Sequence, residues 1–224
     1  MKKLAVLILA VAAFTASTSF AGPSFPDKGW HKGFWVAATG GMMQATDDRN
    51  VASNVKFGGS IVPALGLSLG YDITDWIGIM LQFTYGGLVT ANVGDGTATY
   101  PVENAREHII NLDLMCRYTF LTGWSGQPDK VRILPYVKAG GAGRGLFVNA
   151  STDANKVGAY GFGGAVGAGI EFLVIDRIFF ALDATEHLMF MQSQYKTVNG
   201  TRTEIIAGGF KPNFQVLGMV GYHF

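Results

Sequence analysis

The side chains best suited to chemistry are four histidines, His31, His108, His187 and His223, and the carboxylates near them. A histidine acts as a general base when a carboxylate orients it within hydrogen-bond reach of the proton it takes. The nearest such arrangement is Asp183 with His187, on one face of an extended segment. Four residues of strand span roughly 13 Å, too far for a direct dyad. Glu186 and His187 are adjacent, so a regular strand points them to opposite faces. His187 is therefore expected to be a hydrogen-bonded interior residue. The Gly-rich stretches Gly140–Gly145 and Gly161–Gly169 fit neither GxGxxG nor a phosphate loop, and no helix follows them. Cys116 is the only cysteine, so no internal disulfide can form. No catalytic residue, metal-ligand set or cofactor is expected.

The charges that remain acquire meaning from the elements that carry them. Asp113, Arg117, Lys138, Arg144, Glu171 and Asp183 sit in segments that alternate bulky apolar residues with small or polar ones. That period of two is the mark of a strand with two different faces. Eight such segments are predicted: 34–45, 61–73, 76–88, 108–121, 131–147, 158–174, 178–191 and 214–224. In the fourth, Ile110, Leu112, Leu114, Cys116, Tyr118 and Phe120 oppose Asn111, Asp113, Met115, Arg117 and Thr119. The first alternates poorly around Gly40-Gly41, where a bulge is expected and the faces stay unassigned. Connections 74–75 and 175–177 are short, and 122–130 is somewhat longer. The other four (46–60, 90–107, 149–156 and 192–211) are mostly longer and polar.

The six charges all fall on the face that carries the small residues. The opposite face carries Leu, Ile, Phe, Val and Tyr. A soluble barrel would place its charges outside. Here the bulky face is expected to meet lipid and the charged face to line a lumen. Closure satisfies every backbone hydrogen bond without water, which a bilayer demands. Eight strands leave room for side chains and little more. Buried charges must pair, because an isolated one is strongly unfavourable. Asp113, Arg117, Lys138, Arg144, Glu171 and Asp183 are therefore expected to form a lumen ion-pair network. Two roles stay open for it: a plug that holds the barrel rigid, or the lining of a gated, very narrow water path. Glu186 falls on the lipid face and is expected at the outer rim, the alternative being a bulge. Trp35, Trp76, Tyr71, Tyr85, Tyr118, Tyr160 and Tyr222 would suit interfacial girdles, or express strand propensity alone.

Composition and termini agree. Nearly half the residues are hydrophobic (49%) and few are charged (15%), yet after residue 21 no apolar run is long enough for a membrane-spanning helix. Net charge is +1, which gives nucleic acid no basic surface. Lys2 and Lys3, the apolar run Leu4–Phe14 and Ser19-Phe20-Ala21 read as a secretory leader, residues 1–21, leaving one domain, 22–224. The last segment places Phe224, Tyr222 and Val220 on one apolar face, which suits the closing strand of a membrane barrel.

That terminal pattern resembles the assembly signal of bacterial outer-membrane β-barrels. The whole of 22–224 resembles the OmpA-like family of small outer-membrane barrels, including the opacity-protein and OmpX-type barrels. The resemblance rests on the leader, the alternating strands, the Gly-rich interior, Pro135-Tyr136 and Tyr222-His-Phe224. It implies an all-β, eight-stranded antiparallel up-and-down transmembrane barrel in the Gram-negative outer membrane, with both termini periplasmic. It implies outer-membrane lipid, lipopolysaccharide and the barrel-assembly machinery as partners. The peptidoglycan-binding domain of full-length OmpA proteins has no counterpart here, so wall tethering is not expected. The His-x-Ser pair of lipid A deacylases is absent: the strings are His108-Ile-Ile and His187-Leu-Met. Asp47-Asp48 and Glu186-His187 only faintly echo the omptin proteases, whose barrels need more strands. Two functions remain: a structural or surface-interaction protein whose four outer loops could meet an extracellular ligand, or a narrow channel for small solutes or a small hydrophobic compound, as in OmpW-like barrels. A monomer is expected, because closure leaves no free strand edge.

Overall fold

The computed structural model describes residues 33–44, 61–74, 76–87, 90–93, 98, 103–120, 132–153, 156–175, 177–198, 201–206 and 208–224. The expected leader 1–21, His31, Asp47-Asp48 and the connections 46–60 and 122–130 lie outside these residues. The strands are β1 (Gly33–Gln44), β2 (Ile61–Asp72), β3 (Ile77–Gly86), β4 (Thr90–Val93), β5 (Glu103–Thr119), β6 (Arg132–Asn149), β7 (Val157–Ile175), β8 (Ile178–Met191), β9 (Gln194–Val198), β10 (Thr201–Ile206) and β11 (Gly209–His223).

Eight long strands close on themselves in the order β3-β2-β1-β11-β8-β7-β6-β5, with β5 returning to β3. Every pairing is antiparallel. Chain neighbours pair with one another, and β1 with β11 completes the ring, so no long strand keeps an open edge. One end of the barrel holds the short turns, here the turn end; the other holds the long connections, the loop end. At the turn end Thr74 Oγ1 accepts from the backbone N–H of Trp76 and of Ile77, at 3.3 and 3.0 Å, closing the β2–β3 turn. At the loop end β4 pairs with the start of β5, and β9 with β10 forms a small separate hairpin.

Alternation governs burial throughout. On β5, Asn111, Asp113, Met115 and Arg117 are buried while Leu112, Leu114, Cys116 and Tyr118 are exposed. The outer surface of β2 and β3 is a continuous field of Leu65, Leu67, Leu69, Ile77, Ile79, Leu81 and Phe83. This protein is apolar outside and partly polar within, the inverse of a water-soluble barrel.

Three sequence expectations are corrected. The register of β1 runs unbroken from Gly33↔Asp72 to Gln44↔Ile61 against β2, and from Trp35↔His223 to Met43↔Gln215 against β11. There is no bulge at Gly40-Gly41. Small residues on both faces simply flatten the alternation there. Two strands start earlier than their apolar pattern: β5 at Glu103 and not His108, β11 at Gly209 and not Phe214. Beyond the apolar belt the backbone still pairs, but nothing requires one face to be greasy. For the same reason the hairpin β9–β10 lies in a stretch expected to be a polar loop.

Candidate functional site: the barrel interior

All six charged residues singled out from the sequence point inward and are buried: Asp113, Arg117, Lys138, Arg144, Glu171 and Asp183. Each sits on the inward alternation of β5, β6, β7 or β8. The structure divides them among four levels.

At the turn end Arg117 Nη2 donates to Glu171 Oε2 at 2.8 Å, and its Nε donates to Thr119 Oγ1 at 3.2 Å. The other oxygen of Glu171, Oε1, lies 3.3 Å from His223 Nε2. His223 Nδ1 in turn lies 4.0 Å from Asp72 Oδ2. The Arg117 guanidinium stands over two rings, 4.6 Å from the Tyr136 centroid and 5.7 Å from that of Trp35. Trp35 meets Phe179 edge-on at 5.7 Å, and Phe179 lies 4.9 Å from His223. Glycines make this aromatic layer possible. A Cβ on Gly70 would run into the Trp35 ring, and one on Gly221 into the Phe179 ring.

One level up, Asp183 gathers three donors. Lys138 Nζ donates to Oδ1 at 2.7 Å, Thr185 Oγ1 to Oδ1 at 2.9 Å, and Tyr136 OH to Oδ2 at 2.8 Å. Lys138 also donates to Gln82 Oε1 at 3.2 Å, which ties in β3. Above this, His187 Nε2 lies 2.9 Å from Asp113 Oδ2. Asn111 Nδ2 donates to Gln215 Oε1 at 3.5 Å, joining strands from opposite sides of the ring. Toward the loop end Met43, Ile109, Leu146 and Met189 are buried, together with the polar Glu107 and Asn213. Arg144 lies in that upper part, where its Nη2 donates to the Gln44 carbonyl at 3.1 Å.

The interior therefore brings together Arg117 with Glu171 and Lys138 with Asp183, and it sets a histidine against Asp113. Asp72, Gln82, Tyr136, Thr185, His187 and His223 belong to the same arrangement. Their inward parity could be read from the alternation, but not their partners. Trp35 is a correction: it was expected in an interfacial girdle but is 1% exposed, inside the barrel. Its pairing with His223 fixes its parity inward. Tyr71, Trp76, Tyr118, Tyr160 and Tyr222 do face outward, and half-buried Tyr85 bonds His108 Nδ1 at 2.5 Å. For Glu186 the register excludes the bulge that was the alternative to a rim position. It faces outward in unbroken register between Val166 and Phe214, and Leu188 and Phe190 continue the apolar face beyond it. Among the described residues no group of three or more His, Cys, Asp or Glu could hold a metal ion.

The family described as "Outer membrane protein beta-barrel domain" matches residues 5–224. The chain belongs to this outer-membrane barrel family. Its outward apolar face is thereby a lipid face, and its place is the Gram-negative outer membrane. Solved barrels share the fold. The outer membrane protein OprG of Pseudomonas aeruginosa is 16% identical, with 88% of this chain and 98% of that chain covered and a TM-score of 0.58. Neisserial surface protein A is 13% identical, with 86% and 98% covered and a TM-score of 0.57. The N-terminal barrel domain of Pseudomonas aeruginosa OprF is 16% identical, with 87% and 99% covered and a TM-score of 0.50. A comparison with curated proteins found no match. At these identities the likeness establishes the barrel fold alone.

Proposed function

We propose that this outer-membrane barrel is a closed, non-catalytic scaffold whose working surface is its loop end. The four long connections would serve envelope integrity, adhesion or recognition of an extracellular ligand. One observation carries this reading: bonded side chains cross the lumen at successive levels. Arg117–Glu171–His223, Lys138–Asp183 and Asp113–His187 each join strands that are not neighbours in the ring, and every one of these residues is at most 6% exposed. Desolvated charges at this separation attract strongly and are costly to part. The same burial argues against an enzyme. The close His–carboxylate pairs, His187 with Asp113 and His223 with Glu171, offer no surface to a substrate.

In this reading the short turns and both termini face the periplasm, and residues 1–21 are removed as a leader. Phe224, Tyr222 and Val220 form the signal read by the barrel-assembly machinery, and the outward face meets lipid and lipopolysaccharide. Conductance across a planar bilayer tests the closed lumen, using refolded residues 22–224 beside Arg117→Ala and Lys138→Ala. A silent wild type, shown to be folded and inserted, supports the plug. Discrete wild-type openings, altered by the variants, would replace it with a narrow channel for small solutes or a small hydrophobic compound.

A further inference from the structure

At the loop end, three outward positions on neighbouring strands fall in one row. Arg106 on β5 pairs with Asn149 on β6. Val148 pairs with Val157, so Lys156, the residue before β7, comes opposite Asn149. All three are exposed. With strands about 4.8 Å apart, the two cations stand roughly 10 Å from one another across the row. An aromatic shelf lies directly beneath, toward the turn end. There His108 pairs with Phe147, Tyr85 bonds His108, and Tyr160 meets Phe147 edge-on at 5.4 Å. Arg106 is twelve residues along β5 from Tyr118, an outward ring near the turn end. That is about 40 Å of strand, or roughly 30 Å of depth at the tilt usual for such barrels, just past an apolar belt of about 25 Å. Lys156 is held in place by its turn. The carboxylate of Glu103 accepts from the Ser151 and Thr152 amides, each at 2.9 Å, and the Lys156 amide donates to the Asp153 carbonyl at 3.2 Å. The far wall differs: there β8 and β11 present Phe190 and Phe210 at their loop ends.

We propose that this row binds lipid A, the phosphorylated anchor of lipopolysaccharide, with Arg106 and Lys156 each holding one of its two phosphates. The proposal rests on the reading that the loop end faces outward, and it gives the lipopolysaccharide contact its residues. Depth sets the ligand's level: the cations stand where the apolar belt ends and headgroups begin. The rings below them meet the upper part of the acyl chains, as interfacial aromatics do. The Arg106 guanidinium can take two phosphate oxygens at once, and Lys156 acts as a point charge. Two cations set this far apart suit two phosphates on one disaccharide. A glycerophospholipid with a single phosphate would engage only one of them. Asn149, between the cations, offers an amide to the sugar that joins the phosphates. Asp153 competes, because its Oδ1 lies 2.7 Å from Lys156 Nζ. Both members of that pair are exposed, and exposed pairs contribute little, so a phosphate can displace the carboxylate.

The test is a binding titration of the refolded mature barrel in detergent micelles with three probes. These are lipid A carrying both phosphates, the same lipid A stripped of phosphate, and phosphatidylglycerol. Wild type is compared with Arg106→Ala, Lys156→Ala and the double variant, all first shown to fold by their heat-modifiable gel shift. The expected result is that wild type prefers the bisphosphorylated form. Each single variant should weaken that binding about fivefold, the worth of one Lys or Arg at an anionic membrane surface. The double variant should bind the two forms of lipid A equally. Equal binding of both forms by wild type overturns the proposal, as do variants that bind like wild type. Phosphatidylglycerol bound as tightly, and lost in the same variants, would overturn lipid A as the ligand. An epitope tag in the connection 46–60, probed on intact cells, reports orientation separately. An exposed tag without lipid A binding sinks the site alone, whereas a hidden tag sinks both the outward loop end and the site built on it.

Discussion

Lys138 on β6 reaches over β7 to Asp183 on β8, Nζ to Oδ1 at 2.7 Å, with both side chains fully buried. The strand between them is bare at that point: Gly167 pairs with Lys138 and Gly169 with Asp183. A Cβ on Gly167 would come within 2.8 Å of Lys138 Cε. The glycines of β7 are thus the floor across which the ion pair is laid. Removing one partner strands the other charge inside the barrel, which costs about 3–5 kcal/mol.

Lys138→Met and Asp183→Leu should therefore each destabilise the folded barrel by that amount. The double variant should lose less than the sum, because no buried charge is left behind. Urea unfolding in lipid, run as a double-mutant cycle, measures the coupling. Additive losses would show that the pair is not energetically joined.

Trp35 and Trp76 should respond oppositely to the membrane. Trp35 is enclosed by Phe179, His223 and Arg117, whereas Trp76 is 51% exposed on the outer wall at the turn end. In variants that keep only one tryptophan, brominated lipid should quench Trp76 strongly and leave Trp35 nearly unchanged. Equal quenching would place Trp35 in lipid and dismantle the aromatic layer at the turn end.

These contrasts also show where reading from residues succeeds and where it stops. Strand number, closure and the wet face follow from alternation, because lipid on one side and a narrow lumen on the other impose opposite chemistry on successive residues. Asp113, Arg117, Lys138 and Glu171 could be placed inside on that basis. Their partners could not, because pairing depends on how the ring closes. Lys138 selects Asp183 two strands away, and His187 selects Asp113 across the lumen. Trp35 was misplaced because an aromatic near a strand end suits either side. Only its register against His223 decides. The early starts of β5 and β11 were invisible because alternation fades once a strand leaves the lipid.

Gly169→Ala should be poorly tolerated although the change is a single methyl group. The added Cβ would strike the Tyr136 ring, whose hydroxyl is held at 2.8 Å by Asp183 and whose face carries Arg117. Overpacking of this kind costs about 1–3 kcal/mol. Gly141→Ala is the control, because its Cβ would point into open space with nothing within 4 Å. A lower unfolding midpoint for the first, beside an unchanged one for the second, is the expected pair of results. Equal midpoints would mean that the Tyr136 layer yields freely.

Phe224→Ser should impair assembly more than it impairs the stability of the finished barrel. The Phe224 amide donates to the Phe34 carbonyl at 2.9 Å, and its ring lies 5.6 Å from Phe34 and 5.2 Å from Tyr222. These contacts sit on the seam where β11 meets β1, the pairing that joins the two most distant parts of the chain and must close the ring. The backbone bond survives the substitution, so the folded barrel should lose only part of an exposed aromatic contact, on the order of 1 kcal/mol. The signal proposed for the assembly machinery loses its defining side chain entirely. Outer-membrane yield in cells should therefore fall several-fold, while the unfolding midpoint of barrel refolded in detergent shifts little. Equal yield in cells would refute the assembly role, and a large fall in both would make Phe224 a structural residue of the seam.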